Sequence, residues 1–132
     1  MERNIRDVRT YLVIGAAMKV HSRLGSGFLE AVYQEALETE LKARHVPFRR
    51  EPRIAVVYDG KPLDSAYRPD FIVYDEVIVE LKVVERLIEA HKGQVIHYLK
   101  ATELQLALLL NFGASRLEFE RLINSTGYRM PL

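Results

Sequence analysis

Asp70, Glu80 and Lys82 are the residues in this chain whose types and spacing could do hydrolytic chemistry together. They stand inside an otherwise apolar stretch, Tyr67-Arg-Pro-Asp-Phe-Ile-Val-Tyr-Asp-Glu-Val-Ile-Val-Glu-Leu-Lys-Val-Val84, which reads as a strand, a tight turn and a second strand. Side chains alternate faces along a strand, so Val77, Val79, Leu81 and Val83 share one face. Ile78, Glu80, Lys82 and Val84 share the other. Charges rarely enter an inner strand unless they are paired or bound to a metal. Whether Asp70 joins them depends on the turn. With Tyr74-Asp75-Glu76 as the loop, Val73 pairs with Val77, Ile72 with Ile78 and Asp70 with Glu80. With only Asp75-Glu76, Asp70 lands opposite Leu81, because a one-residue slip reverses every face. A three-residue loop, or a bulge near Pro69, is therefore required for the two carboxylates to meet. Two carboxylates on one face suit a hard cation such as Mg²⁺. A lysine beside them can hold an attacking water or offset developing charge. The same residues would also make an ordinary ion-pair cluster on a solvated face, and the spacing leaves both readings open.

Other elements must hold this stretch in place. Asn4 to Leu24 reads as a helix with Ile5, Val8, Leu12 and Ala16 on its apolar stripe, stopped at Leu24-Gly25-Ser26-Gly27. Gly15, Ala16 and Ala17 permit close approach of another element. A second helix runs from about Phe28 to Arg44, with Ser26 as candidate N-cap and Glu30 in the first turn, where the helix dipole favours a carboxylate. Tyr33, Gln34, Leu37 and Leu41 continue one face of it. His45-Val46-Pro47 ends it. Phe48 to Asp59 reads as one strand, Asp59-Gly60 as a hairpin turn, and the next strand starts near Leu63 and carries Asp70. Beyond Lys82 the period becomes helical from Glu85 to Ala101, with His91, Gln94 and Tyr98 along one side. Gly93 costs that helix up to about 1 kcal/mol relative to alanine, so it suggests a close contact. Gln105 to Leu110 reads as a buried strand reached by a parallel crossover, and Leu117 to Ile123 as the last strand. Asn124 to Leu132 reads as a tail whose Tyr128, Met130 and Leu132 could dock on the body or a second copy. The element order is that of a single α/β domain over 1–132, with a mixed sheet of about five strands, two N-terminal helices and one crossover helix.

Pro69-Asp70 followed by Glu80-Leu81-Lys82 resembles the PD-(D/E)xK signature of restriction-endonuclease-like nucleases. Upstream, Gly27-Phe-Leu-Glu30-Ala-Val-Tyr33 resembles the signature that names the GxxExxY family, a branch of that superfamily. Downstream, Gln94-Val-Ile-His-Tyr98 is similar to the Q-x-x-x-Y element of RecB-like nucleases. The resemblance implies a restriction-endonuclease-like core and a nuclease cutting phosphodiester bonds with Mg²⁺ or Mn²⁺. It implies Asp70, Glu80, the Leu81 carbonyl and Glu30 as metal ligands, with Lys82 and Gln94 acting on water and phosphate. Tyr33 and Tyr98 would support them. DNA stands ahead of RNA as the implied substrate.

Bulk composition bounds rather than decides. The chain has 132 residues and a net charge of +1, too near neutral for a dedicated nucleic-acid coat, though one basic cleft is compatible with it. It has no cysteine, which removes disulfides, zinc–thiolate sites and thiol nucleophiles and suits a reducing cytoplasm. No run approaches the ~20 apolar residues of a membrane helix, and Met1 to Asn4 does not open a signal peptide. His91 and His97 read as surface or interface residues rather than zinc ligands. Arg3, Arg6 and Arg9, and Arg49, Arg50 and Arg53, could meet phosphates; the plainer readings are a solvated helix end and an aggregation-deterring edge strand. Two rivals to the nuclease stand beside it: a non-catalytic nucleic-acid-binding or protein-interaction module on the same fold, and a structural assembly protein with Asp70, Glu80 and Lys82 as an internal salt bridge. The tail and small size suggest a homodimer.

Overall fold

The computed structural model describes residues 7–124. Arg3, Arg6 and the tail residues Tyr128, Met130 and Leu132 lie outside them. Helix α1 (Val8–Leu24) begins later than Asn4 because Asp7 caps it: its Oδ1 accepts from the N–H groups of Arg9 and Thr10 at 2.9 and 3.2 Å. It stops at Gly25, whose φ of 74° returns its N–H to the His21 carbonyl at 2.8 Å. Helix α2 (Glu30–Ala43) starts at Glu30, behind an N-cap Leu29 that makes no side-chain bond, so Ser26 is not its cap.

The segment expected as one strand from Phe48 to Asp59 is two, β1 (Phe48–Arg50) and β2 (Ile54–Tyr58), in different sheets. Glu51, with φ of 50°, and Pro52 break the run. Strand β3 (Lys61–Tyr67) pairs with β2 through the Asp59-Gly60 turn, where φ values of 50° and 77° suit a two-residue hairpin. The strand expected to run on through Asp70 also breaks. Arg68, Pro69 and Asp70 separate β3 from β4 (Phe71–Val73).

The main sheet runs β1-β4-β5-β6-β7, with β5 (Val77–Lys82), β6 (Leu106–Asn111) and β7 (Glu118–Ile123). All neighbours are antiparallel except β5 and β6, joined by the crossover helix α3 (Glu89–Thr102). This mixed α/β sheet with three helices matches a restriction-endonuclease-like core. The β4–β5 loop is Tyr74-Asp75-Glu76, and the register follows: Val73 opposite Val77, Ile72 opposite Ile78, Phe71 opposite Val79.

Two apolar layers sandwich the sheet. On one face Val13, Ala16, Ala17, Leu37 and Leu41 of α1 and α2 meet Phe71, Val77, Val79, Leu81, Leu108 and Leu110. On the other, Val95 and Leu99 of α3 meet Ile72, Ile78, Ala107 and Leu109. α3 begins at Glu89 rather than Glu85, with Ile88 N–H donating to His91 Nδ1 at 3.1 Å, so His91 serves the helix start. The close contact suggested at Gly93 is absent: a Cβ there would meet nothing within 4 Å. Gly113 is the tight position, since its Cβ would fall 2.4 Å from the Val84 nitrogen. Among the described residues no helix is long and apolar enough to cross a membrane.

Candidate active site

β5 outruns β4. The β4–β5 ladder ends at Phe71 opposite Val79, so Glu80, Leu81 and Lys82 extend past their neighbour while still pairing with β6. Asp70 fills the gap. Its Oδ2 accepts from Leu81 N–H at 2.8 Å, where a longer β4 would have paired. Its own N–H donates to Glu80 Oε1 at 3.2 Å, and its carbonyl accepts from Glu51 N–H at 2.9 Å. The chain break at Pro69 and the three-residue loop thus bring the two carboxyl groups together without extending the ladder.

Glu80 lies on the α3 face of the sheet between apolar neighbours. Its Oε2 accepts from the Tyr67 hydroxyl at 2.7 Å. Burial first, and Asp70 second, push its pKa up to about 8, while Tyr67 works against the rise. Tyr67 is itself buried, and burial followed by the charge on Glu80 raises its pKa well above the usual range, so it remains a proton donor. Its ring lies flat on Tyr98, with centroids 3.5 Å apart and planes 4° from parallel. Tyr98 therefore reaches the acidic pair through Tyr67.

Lys82 Nζ donates to Gln94 Oε1 at 3.3 Å, which joins α3 to the site. Glu30 lies at the mouth, on the first residue of α2. Surrounding protein, and then the charge on Asp70, raise its pKa, and Lys82 opposes the rise, so it feels both. It makes no hydrogen bond or ion pair among the described residues. Tyr33 is placed differently from the expectation of a bond to the site. Its hydroxyl donates to the Gly25 carbonyl at 2.5 Å and accepts from Phe28 N–H at 3.2 Å, and its ring stacks on Phe112. It anchors the loop that delivers Glu30.

The donor set is oxygen only, as a hard divalent cation requires. Asp70 and Glu80 fit such an ion: their mutual repulsion and burial hold Glu80 in a state that a cation would reverse. Glu30 does not close the set, because among the described residues no three Asp, Glu, His or Cys side chains converge on one metal-sized position. Leu81 meets Asp70 through its N–H.

This arrangement has counterparts. A family model for the PD-(D/E)XK nuclease superfamily matches residues 7–122. The chain belongs to that superfamily. Its fold is similar to that of a solved protein, the crystal structure of SSO0001, at a TM-score of 0.59 and 18% identity. The alignment covers 96% of this chain and 64% of that one, so this chain spans less than two thirds of its neighbour's length. No curated protein matches it.

Two residues of the superfamily member's site escape a reading of the sequence. Gln34 Nε2 donates to Asp70 Oδ1 at 2.9 Å and to Glu51 Oε2 at 3.0 Å, while its Oε1 accepts from Arg50 Nη2. Its signal was a polar side chain on the buried face of α2. Tyr67 is the other, an aromatic ending β3 just before Pro69-Asp70. The arginines are largely taken: Arg9 pairs with Asp7 and Glu76, Arg50 with Glu38 at 2.6 Å, Arg49 with Asp75 at 3.4 Å, and Arg53 donates to the Asp64 carbonyl.

Proposed function

We propose that this protein is a metal-dependent nuclease that hydrolyses phosphodiester bonds, DNA ahead of RNA, and that Gly27, Glu30 and Tyr33 mark it as one of the GxxExxY branch. It would act as a single domain over 1–132. The observation that supports this best is the half-buried contact between Asp70 and Glu80, with Glu80 held near neutrality by its surroundings. Perturbed carboxyl groups in a polar break of an apolar sheet are expected where chemistry is done. Asp70 and Glu80 would hold Mg²⁺ or Mn²⁺, with the Leu81 carbonyl as a further ligand and Glu30 contributing through a water. Such an ion, when bound, acidifies water and neutralises phosphate charge. Lys82, on the same strand face as Glu80, would orient the attacking water and offset charge on the phosphate oxygens. Gln94 keeps the Lys82 ammonium in place and presents its amide to water or phosphate. Tyr67, backed by Tyr98, holds the Glu80 carboxyl. We also infer a homodimer, for which exposed Val8, Tyr11 and Met18 on α1 offer an apolar face, and a cytoplasmic setting, which suits the cysteine-free sequence.

The test is cleavage of DNA and RNA with Mg²⁺ or Mn²⁺ by the wild type, Asp70→Ala and Lys82→Ala. Loss in both variants is expected; metal-dependent cleavage surviving both would reject the assignment. A second reading is favoured because no three ligands converge among the described residues: a non-catalytic module that kept the fold. Isothermal titration separates the two, since nucleic-acid affinity without metal uptake belongs to the module.

A further inference from the structure

The β2–β3 hairpin and α3 flank a half-open pocket of about 260 Å³ beside the acidic cluster. Val56 of β2 lines it with Gln94, His97, Tyr98 and Ala101 of α3. This is just under the ~300–1,000 Å³ of sites that take drug-sized ligands, the scale of one flat ring system. No lining residue is an acid, a lysine or an arginine, so a phosphate finds no fixed charge there. An uncharged ring finds walls that are almost wholly apolar, among them an aromatic side chain stiffened by its stack on Tyr67, with Gln94 and His97 completing the lining. Gln94 belongs to the cavity and to the cluster at once, since it accepts from Lys82. Any nucleotide whose phosphate reached Lys82 would carry its base to within one side chain of this space.

We propose that the cavity is a slot for one unstacked nucleobase beside the cleaved phosphate, which makes single-stranded nucleic acid the substrate class. The inference rests on the nuclease reading. A base within a duplex is stacked and paired, and would have to be extruded at a cost before it could enter. Stacking on an aromatic wall accepts any base, so the slot selects strandedness rather than sequence.

The experiment measures binding with Ca²⁺ in place of Mg²⁺. The probes are a short single strand carrying 2-aminopurine, a fully abasic strand of equal length, and the matching duplex. The wild type should bind the base-bearing strand roughly tenfold or more tighter than the abasic one, with 2-aminopurine quenched. Ala101→Phe, which fills the slot, should remove that advantage and leave abasic affinity unchanged. His97→Ala, at an exposed position that spares the fold, should reduce the advantage. Equal binding of abasic and base-bearing strands, equal binding of the duplex, or full base preference in a folded Ala101→Phe protein would overturn the slot. Base-selective binding by a wild type that cleaves no strand with Mg²⁺ or Mn²⁺ would uphold the slot and remove the nuclease reading alone.

Discussion

Strands β5 and β6 are parallel neighbours of 6 residues each, in register from Val77 opposite Leu106 to Lys82 opposite Asn111. Both have apolar layers above and below. β6 is buried throughout, whereas β5 opens at Glu80 and Lys82. The last row makes the difference sharpest. Asn111 is fully buried, and its amide is saturated by the fold. Oδ1 accepts from the N–H groups of Val84 and Gly113, and Nδ2 donates to the Val84 carbonyl and Glu118 Oε1, all at 2.9 to 3.0 Å. Lys82 faces it with one 3.3 Å bond to Gln94 among the described residues. A polar group whose capacity is used up within the fold ties the chain together. One with spare donors at the end of a buried strand is available to a ligand.

The comparison breaks first at Lys82 and Asn111 exchanged for alanine side by side. Lys82→Ala should lower metal-dependent cleavage by about 10²–10³, the usual loss when one stabilising donor goes. Its folding stability should fall by no more than about 1 kcal/mol, because a half-exposed charge contributes little. Asn111→Ala should do the reverse in kind. It orphans the buried Val84 and Gly113 backbone groups, at about 1–3 kcal/mol each before relaxation, so urea denaturation should register at least about 2 kcal/mol. Equal losses of stability in both variants would erase the distinction.

These two strands also show how much was legible from residue order. The faces of Val77 to Lys82, the parallel crossover and the Asp59-Gly60 turn followed from period-two patterning and turn chemistry, and the register of β4 on β5 is one of the two that the turn allowed. The three-residue loop was one of two routes that bring Asp70 to Glu80, the other being an irregularity near Pro69, and the structure has both the loop and a strand break at Pro69. What escaped depends on contacts between elements distant in sequence. Gln34 is drawn to Asp70 across 36 positions, and Tyr67 to Tyr98 past the whole β4–β5 pair. Periodicity puts Gln34 on the buried face of α2 but names no partner for it. The split of Phe48 to Asp59 into two sheets was hidden because its charged half and apolar half are both strand-like, and only Glu51 at positive φ and Pro52 divide them.

Glu80 sharpens the comparison through pH. Its pKa is near 8 in the folded chain against an ordinary 4.5, so the native state holds a proton that the unfolded chain releases. That stability is fully present below about pH 4.5 and is lost as pH rises through about 8. In EDTA, the unfolding free energy from urea denaturation should fall between pH 5 and 8, with a slope no steeper than about 1.4 kcal/mol per pH unit. Glu80→Gln should flatten it. A slope unchanged in that variant would show that the proton belongs elsewhere. Tyr67→Phe acts next, removing the hydroxyl that favours ionised Glu80. Mg²⁺ uptake by titration calorimetry should weaken roughly tenfold, as loss of a hydrogen bond to a charged group predicts, and should need a higher pH to begin. Unaltered uptake would mean that Glu80 needs no such support.

The smallest effect lies at two glycines that differ as β5 and β6 do. Gly113 has backbone on its open side: a Cβ would meet Val84 N, Val84 O and Val83 C at 2.4, 2.5 and 2.8 Å. None of those atoms is the end of a flexible side chain, so Gly113→Ala must displace the strand exit that Asn111 fastens. Gly93 sits within α3 with nothing in reach of a Cβ. There alanine adds helix propensity without a clash, and Gly93→Ala should stabilise the protein by up to about 1 kcal/mol, read as a higher denaturation midpoint at an unchanged slope. Because Gly93 directly precedes Gln94, the same variant separates helix order from chemistry. Stiffening α3 should leave the Lys82–Gln94 bond intact and cleavage within about twofold of the wild type. A large loss of cleavage with a raised midpoint would instead mean that α3 must flex at Gly93 for Gln94 to work.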